Sequence, residues 1–315
     1  MNDLENNISN ISNNHYHYLM SLKNVNGVGL SYKYINGKNT FEPCLCVLVE
    51  NKVNNKFLTV NNVIPKSYMG IKTDVIAIGK TSLNTSSVIF FKMRPLKGGT
   101  QIGPVDRDIF GTICCIVKKT IRKGILKKPH YYILSNNHVL ANNNEYPIGT
   151  FFMQPSRSDG NVHTDMVAAL TNFVRITFLE DDSESENLLD AAIAEIFNLK
   201  IISNEIYSQG RLKGTTDPAL LLNVKKVGAK TGLTSGHIIT INSSVKISTK
   251  DARSAIFKDQ IISDLKTSPG DSGSAVITID NKIVGMHMAS GGDGFSIANN
   301  INIALKKLDV ELYTG

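Results

Sequence analysis

The feature that most constrains the fold of this chain is a regular series of short apolar segments between residues 111 and 298. Turn-forming residues separate the segments, so each is predicted to form one β-strand. The predicted strands are residues 111–118, 130–135, 166–170, 173–178, 190–196, 224–227, 237–241, 274–279, 282–287 and 294–298. Many short strands favour antiparallel β-barrels or a β-sandwich. A C-terminal helix is predicted from the helical spacing of Ile301, Leu305, Leu308 and Leu312.

The chain ahead of this series is predicted to form a separate unit. Residues 22–92 contain short strands and less regular segments, a pattern typical of a small α/β domain. Pro95, Gly98 and Gly99 lie close together and predict a linker that begins near residue 93. Residues 1–21 are expected to form a disordered N-terminus. The sequence therefore predicts a disordered segment at 1–21, an α/β domain at 22–92 and a mainly β domain at 93–315.

The positions of the cysteines and of the apolar runs indicate in which cellular compartment the protein lies. The four cysteines are Cys44, Cys46, Cys114 and Cys115. Adjacent residues on a strand point to opposite faces and cannot easily share a metal ion, so we interpret all four as buried free thiols. No apolar run approaches the length of a membrane span, and residues 1–14 contain no apolar signal-peptide core. A cytoplasmic protein with no metal, cofactor or membrane partner is therefore predicted.

The formal net charge of the chain is +7. The cations are densest at Lys118, Lys119, Arg122, Lys123, Lys127 and Lys128. A solvated hairpin is the simpler interpretation of this cluster, and a nucleic-acid or anionic-surface patch is the alternative. No aromatic residues interleave with the cations as they do in single-strand binders, so we expect no nucleic-acid partner. The acidic residues 180–186 are likewise interpreted as a solvated loop, with a metal site as the alternative.

The first chemical motif is Ser-Pro-Gly-Asp-Ser-Gly-Ser-Ala-Val at residues 268–276. A serine hydroxyl is a poor nucleophile unless a base removes its proton and donors stabilise the developing oxyanion. A glycine two residues before Ser272 lets the backbone turn so that amide groups converge. Gly270 and Ser272 are therefore the predicted oxyanion donors.

Two further motifs supply a base and a carboxylate. In residues 131–140, an apolar strand ends in small polar residues, and His138 begins a short helical turn. In residues 187–196, Asp190 lies at the start of an apolar strand. A buried carboxylate there is costly unless it is hydrogen-bonded, and holding the second nitrogen of a catalytic histidine is one such compensation.

Together these motifs resemble the His, Asp and Ser segments of trypsin-like (chymotrypsin-fold) serine peptidases of the bacterial type. The chain order His, Asp, Ser differs from that of subtilisin-like enzymes and α/β-hydrolases. Residues 227–238 and 282–288 and the final helix also resemble family segments. The resemblance implies two antiparallel β-barrels in residues 93–315 and a catalytic triad of His138, Asp190 and Ser272. It also implies hydrolysis of a protein or peptide substrate through an acyl-enzyme, without a cofactor.

The chain lacks the disulfides and the activation sequence of digestive members of the family. In their zymogens, a new N-terminal amine pairs with the aspartate before the nucleophile, which corresponds here to Asp271. Three alternatives remain open from the sequence: an internal cation neutralises Asp271, the chain is cut near the linker, or the enzyme is constitutively active.

The resemblance also suggests the substrate pocket, whose walls are expected to include Lys266, Thr267, His287 and Ala289. The Gly-x-His pattern at 285–287 resembles the one found in bacterial glutamyl endopeptidases. Together with a cation at 266, it predicts a preference for Glu or Asp before the cut. In the alternative, His287 packs structurally and Lys266 extends outward. The pocket near Met286, Met288 and Ala289 is then small or apolar.

Two functions are consistent with these observations. The first is an active serine endopeptidase, which the filled triad positions favour. The alternative is a regulated or weakly active peptidase-fold module that binds a partner through its N-terminal domain. The sequence does not indicate the oligomeric state.

Overall fold

The computed structural model describes residues 2–35, 38–53, 58–59, 62–79, 82–83, 91–123, 126–249, 251–291 and 294–315. The helices are α1 Asp3–Asn14, α2 His17–Ser21, α3 Asn137–Leu140, α4 Val162–Asp165 and α5 Ile301–Leu308. The strands of the first half are β1 Val25–Ile35, β2 Lys38–Val49, β3 Ser67–Tyr68, β4 Ile71–Ala77, β5 Ser82–Leu83, β6 Gln101–Pro104, β7 Gly111–Thr112, β8 Cys115–Lys123, β9 Leu126–Ser135, β10 Phe151–Met153 and β11 Met166–Phe173. Those of the second half are β12 Glu186–Asn187, β13 Ala192–Ile196, β14 Glu205–Ile206, β15 Gly210–Arg211, β16 Asn223–Gly228, β17 Gly232–Ser248, β18 Ser254–Ser263, β19 Ala275–Thr278, β20 Ile283–Ser290, β21 Ser296–Asn300 and β22 Glu311–Leu312.

Two large sheets dominate the molecule. The first has the strand order β22-β8-β9-β13-β11-β10-β6-β7, and its pairings are antiparallel. The second contains β16 to β21, which pair in antiparallel fashion. Beyond β17 it continues into β1, β2, β4 and β3, which belong to residues 22–92, called the front segment below. The prediction of a mainly β chymotrypsin-like fold with a C-terminal helix is thereby confirmed.

Helix α5 packs where the two sheets meet. Its buried residues Ile301, Ala304 and Leu308 belong to one apolar cluster. Val117 and Leu134 of the first sheet and Ala275 and Ile277 of the second sheet belong to the same cluster. Burial of these side chains, at roughly 25 cal/mol per Å² of apolar surface, holds the two sheets in a fixed relation.

The front segment shares a sheet and a core with the second sheet. Strand β1 pairs with β2 on one side and with β17 on the other, where Gly27 lies opposite Val245. Apolar side chains of the front segment and of the second sheet form one buried cluster, which includes Leu30, Val47, Ile238 and Ile261. Within residues 22–92 the helices and strands that the structure describes are β1 to β5 alone, and α1 and α2 lie ahead of this range. Its division from the rest of the chain at residues 92 and 93 stays a prediction.

The prediction of a disordered N-terminus was wrong. Residues 3–14 form α1, whose N-terminus has a capping box between Asn2 and Glu5. Ile8 and Ile11 are buried in the cluster shared with the second sheet. The helix is polar in composition and is stabilised by this tertiary contact, which its own sequence does not reveal.

Several strand boundaries differ from those predicted. Residues 174–178 continue beyond β11 without strand pairing, so the predicted strand at 173–178 was wrong. Strand β18 was missed, although it pairs with both β17 and β21. Its interior carries Lys258, Asp259 and Gln260, and these interrupt the apolar alternation that signals a strand.

The basic cluster lies on the β8–β9 hairpin, as the solvated-hairpin interpretation requires. At its base, Lys119 pairs with Asp309 at 2.6 Å. Residues 124 and 125, and the side chains of Arg122, Lys123 and Lys127, lie outside the described part of the chain.

All four cysteines are free and buried. Burial raises the pKa of the Cys44 thiol to about 12 and that of Cys46 well above its usual value. Thiols in such surroundings are poor nucleophiles. Among the described residues, no helix combines the length and the apolar character needed to cross a membrane.

Candidate active site

The segment that carries Ser272 is held by Thr112 of β7. The Thr112 hydroxyl donates to the carbonyl of Gly270 at 2.7 Å, and the Thr112 amide donates to the carbonyl of Ser272 at 2.8 Å. On the other side, the Gly273 amide donates to the carbonyl of His287 at 2.9 Å. Contacts from both sheets therefore fix the segment that precedes β19.

This arrangement leaves two amide groups available. Among the described residues, the backbone N–H groups of Gly270 and Ser272 have no hydrogen-bond acceptor. The Asp271 carbonyl accepts from the Ser274 amide at 2.9 Å, which fixes the peptide that carries the Ser272 N–H. Gly270 has a φ of 107°, a conformation that strongly favours glycine. Two such preorganised amides are chemically suited to stabilise an oxyanion.

His138 and Asp190 are in direct contact. His138 Nδ1 lies 2.5 Å from Asp190 Oδ2, and the His138 backbone N–H donates to Asp190 Oδ1 at 3.0 Å. The Asp190 side chain is fully buried, and that of His138 is 6% exposed. With Nδ1 bound to the carboxylate, Nε2 is the nitrogen left to accept a proton. It has no partner among the described residues.

Two asparagines that sequence reasoning missed position Asp190. Asn299 Oδ1 accepts from the Asp190 amide at 2.9 Å, and its Nδ2 donates to the Asp190 carbonyl at 3.1 Å. Asn136 Nδ2 donates to the same carbonyl at 2.8 Å. Asn136 precedes His138 in the motif and could have been found there. Asn299 lies more than 100 residues downstream, on β21, and no local pattern marks it.

Strand β7 brings the histidine and serine segments together. A Cβ atom at Gly111 would lie 2.5 Å from Val139 Cγ2 and 2.8 Å from the Ser272 carbonyl oxygen. The Ser272 hydroxyl donates to the carbonyl of Met288 at 3.2 Å and is fully buried. Proton transfer to His138 would thus require the Ser272 hydroxyl to turn from Met288 towards Nε2.

Asp271 is neutralised by an internal cation, the first of the three alternatives. Lys226 Nζ lies 2.9 Å from Asp271 Oδ2, and both side chains are fully buried. Asp271 also accepts from the Thr231 hydroxyl at 2.7 Å and from the amides of Ser268, Lys230 and Thr231 at 3.0 Å each. Burial alone would raise the pKa of Asp271, but Lys226 and these donors hold it below its usual value.

The four predicted pocket residues differ in their surroundings. Lys266 is exposed, whereas His287 and Ala289 on β20 are fully buried. The Thr267 hydroxyl is hydrogen-bonded to that of Ser290, a residue that sequence reasoning missed. Thr267, His287 and Ala289 thus lie around the end of β20, and Lys266 extends outward as the alternative interpretation expected.

His287 is an unusual member of this group because it is buried and neutral. Burial, and next the charge of Lys226, lowers its pKa to about 3. His287 Nδ1 lies 2.8 Å from the hydroxyl of Ser296, and Nε2 has no hydrogen-bond partner among the described residues. A buried polar atom without a partner is costly, and a ligand group can remove that cost.

The chain is similar to proteins of known structure and family. A family model described as a trypsin-like peptidase domain matches residues 122–286, more than half of the chain, and the match includes His138, Asp190 and Ser272. No curated protein matches the sequence. Solved structures similar to this chain include Thermobifida fusca protease A, with 17% identity, a TM-score of 0.48, and coverage of 70% of this chain and 98% of that chain. Cellulomonas bogoriensis chymotrypsin has 18% identity and a TM-score of 0.48, and the match covers 70% of this chain and 98% of that chain. Nocardiopsis protease has 16% identity and a TM-score of 0.49, and the match covers 69% of this chain and 98% of that chain.

Proposed function

This chain belongs to the trypsin-like peptidases, and from that premise we propose that it is a serine endopeptidase that uses Ser272, His138 and Asp190. The observation that carries the proposal is the 2.5 Å contact between His138 Nδ1 and the buried Asp190 carboxylate. That contact sets the tautomer in which His138 Nε2 is a base.

The proposed reaction proceeds through an acyl-enzyme. Ser272 Oγ attacks the carbonyl carbon of the substrate as its proton passes to His138 Nε2, and the resulting oxyanion accepts from the Gly270 and Ser272 amides. His138 then gives the proton to the leaving amine. Water hydrolyses the ester by the same steps, with His138 again as base. Asp190 stays ionised and stabilises the imidazolium at each stage.

A fluorophosphonate probe tests this function because it reacts only with an activated serine. We expect stoichiometric labelling, with Ser272 as the modified residue by peptide mass spectrometry. The matched control is Ser268→Ala, a change of the same kind in the same segment, which should label as the parent does. Absence of labelling at Ser272 in folded protein would contradict the proposal.

We further propose that the enzyme prefers Glu or Asp immediately before the cut. His287 supports this, since its partnerless Nε2 is able, in the tautomer that carries the proton there, to donate to a carboxylate. The Thr267 and Ser290 hydroxyls are hydrogen-bonded to each other at the end of β20, the strand that carries His287. A carboxylate that leaves water needs several such donors. Lys266 is exposed and contributes little to this proposal.

Matched peptides with Glu, Asp, Leu, Ala or Arg before the scissile bond test the preference. We expect the Glu peptide to have the highest kcat/KM. His287→Ala should lower kcat/KM for the Glu peptide about 10- to 100-fold more than for the Ala peptide, the effect of losing a hydrogen bond to a charge. Lys266→Ala should change this ratio by less than about threefold, since exposed charges interact weakly. Preferential cleavage after Leu or Ala would support the small or apolar pocket instead, and cleavage after Arg would contradict the whole assignment of the pocket.

A cytoplasmic location is proposed on the evidence of the cysteines. All four are free and buried, and reducing compartments favour such thiols.

A further inference from the structure

One edge of β20 carries the nucleophile and a strand of the front segment in succession. Strand β21 pairs with β20 along one edge, from Gly285 to Ser290. On the opposite edge, β19 pairs with β20 only as far as Met286. The next positions on that edge are taken by the Ser272 segment, since Gly273 and Ser274 bond His287 and the Ser272 hydroxyl bonds the Met288 carbonyl.

Strand β5 of the front segment takes the positions after that. Leu83 lies opposite Ala289 and Ser82 opposite Ser290, in antiparallel pairing. Ser82 also lies opposite Ser248 of β17, in parallel pairing. The backbone of β5 is therefore bound to the stretch of β20 that directly follows the contact of Ser272.

The chain that leads to β5 is anchored beside the same stretch. The Ile78 side chain is fully buried in an apolar cluster with Met288 and Ala289. A Cβ atom at Gly291 would lie only 2.0 Å from the Ile78 carbonyl oxygen, so the approach of the two backbones requires glycine there. The Gly79 carbonyl accepts from Asn26 Nδ2 at 3.2 Å, and this bond fixes the backbone at residue 79 against β1.

An open strand edge beside a nucleophile is where an extended polypeptide would bind. Such a polypeptide pairs its backbone with the free N–H and C=O groups of the edge and adds one strand to the sheet. A substrate that reaches Ser272 along β20 needs the groups of Ala289 and Ser290, which β5 already engages. The two occupants are mutually exclusive because each residue of an edge pairs with one neighbour on that side.

We propose that β5 is an autoinhibitory strand, in which the chain's own front segment occupies the substrate edge of β20. This inference rests on the proposed peptidase function. A tethered occupant competes at an effective concentration in the millimolar range. It raises the apparent KM by a factor equal to the reciprocal of the fraction of molecules in which the edge is free. A two-residue ladder holds few hydrogen bonds, and a long polypeptide substrate or a partner of the front segment can displace it.

Proline substitution in β5 tests the inference, because proline has no N–H to pair. In the double variant Ser82→Pro/Leu83→Pro, we expect hydrolysis of fluorescein-labelled casein to rise about tenfold. The fluorophosphonate labelling rate of Ser272 should stay within about twofold, since the small probe does not use Ala289 and Ser290. The control Ser82→Ala/Leu83→Ala keeps both N–H groups and should behave as the parent. Hydrogen exchange of residues 286–291 should be faster in the proline variant alone.

The outcomes separate this inference from the function on which it rests. Casein hydrolysis that is unchanged or slower in the proline variant, with normal labelling, would overturn autoinhibition and indicate that β5 helps to build the site. No labelling of Ser272 in any variant would contradict the peptidase function. In that case hydrogen exchange still tests whether β5 pairs with β20. Equal exchange rates at residues 286–291 in the proline and alanine variants would overturn this pairing.

Discussion

Replacement of Ser272 by alanine is expected to reduce casein hydrolysis by about 10³-fold or more while the protein stays folded. The substitution removes only the hydroxyl group, whose hydrogen bond to the Met288 carbonyl is 3.2 Å long. Loss of that bond should lower the free energy of unfolding by no more than about 1.5 kcal/mol. Initial rates and urea unfolding of the purified variant measure both quantities.

The triad assignment also predicts that losses at Ser272 and His138 do not add. His138→Ala should match Ser272→Ala in rate, and the double variant should be little worse than either, because the serine and its base act as a unit. Ser268→Ala controls for disturbance of the segment. Activity of Ser272→Ala within a few-fold of the parent would refute the assignment.

Replacement of Lys226 by methionine is expected to lower the free energy of unfolding by about 3–5 kcal/mol, the cost of leaving a buried charge without its partner. Both Lys226 and Asp271 are fully buried, so water cannot replace the lost ammonium. Because Asp271 lies between the two proposed oxyanion donors, fluorophosphonate labelling of Ser272 should also fall, by about 10²-fold, as expected when one such donor is lost. Urea unfolding and labelling rates check the two effects.

Lys225→Met is the matched control for this change. Lys225 precedes Lys226 on β16 and is only half-buried, so its loss should change the stability by about 0.5 kcal/mol or less. In Lys226→Met/Asp271→Asn, removal of the second charge should recover part of the stability. If Lys226→Met lowered the free energy of unfolding no more than Lys225→Met does, an internal cation at Asp271 would not be needed for stability.

The chemical motifs could be predicted from sequence because each is local. The residues around Ser272 combine a positive-φ glycine, a nucleophile and a following strand within a few positions, and His138 and Asp190 lie at the ends of apolar strands. The partners that hold these residues are not local. Lys226 reaches Asp271 from 45 residues away and Asn299 reaches Asp190 from 109.

Elements whose stability comes from distant contacts were likewise missed. Helix α1 is predominantly polar, and its order depends on Ile8 and Ile11 packing against the second sheet. Its Ser12 hydroxyl donates to the carbonyl of Asn242, which has a φ of 50° in the irregular part of β17. A local pattern cannot reveal such contacts, since they depend on the fold that they complete.

The pairing of β1 with β17 and of β22 with β8 has a consequence for the order of events during synthesis. Val28 pairs with Ser244, and Leu312 pairs with Val117, so each large sheet joins residues made about 200 positions apart. At about 5–20 residues per second, a ribosome needs roughly 10–40 s to travel that distance. During this interval the edge of β1 that pairs with β17 has no partner strand. The first sheet can therefore not be completed before β22 has been synthesised.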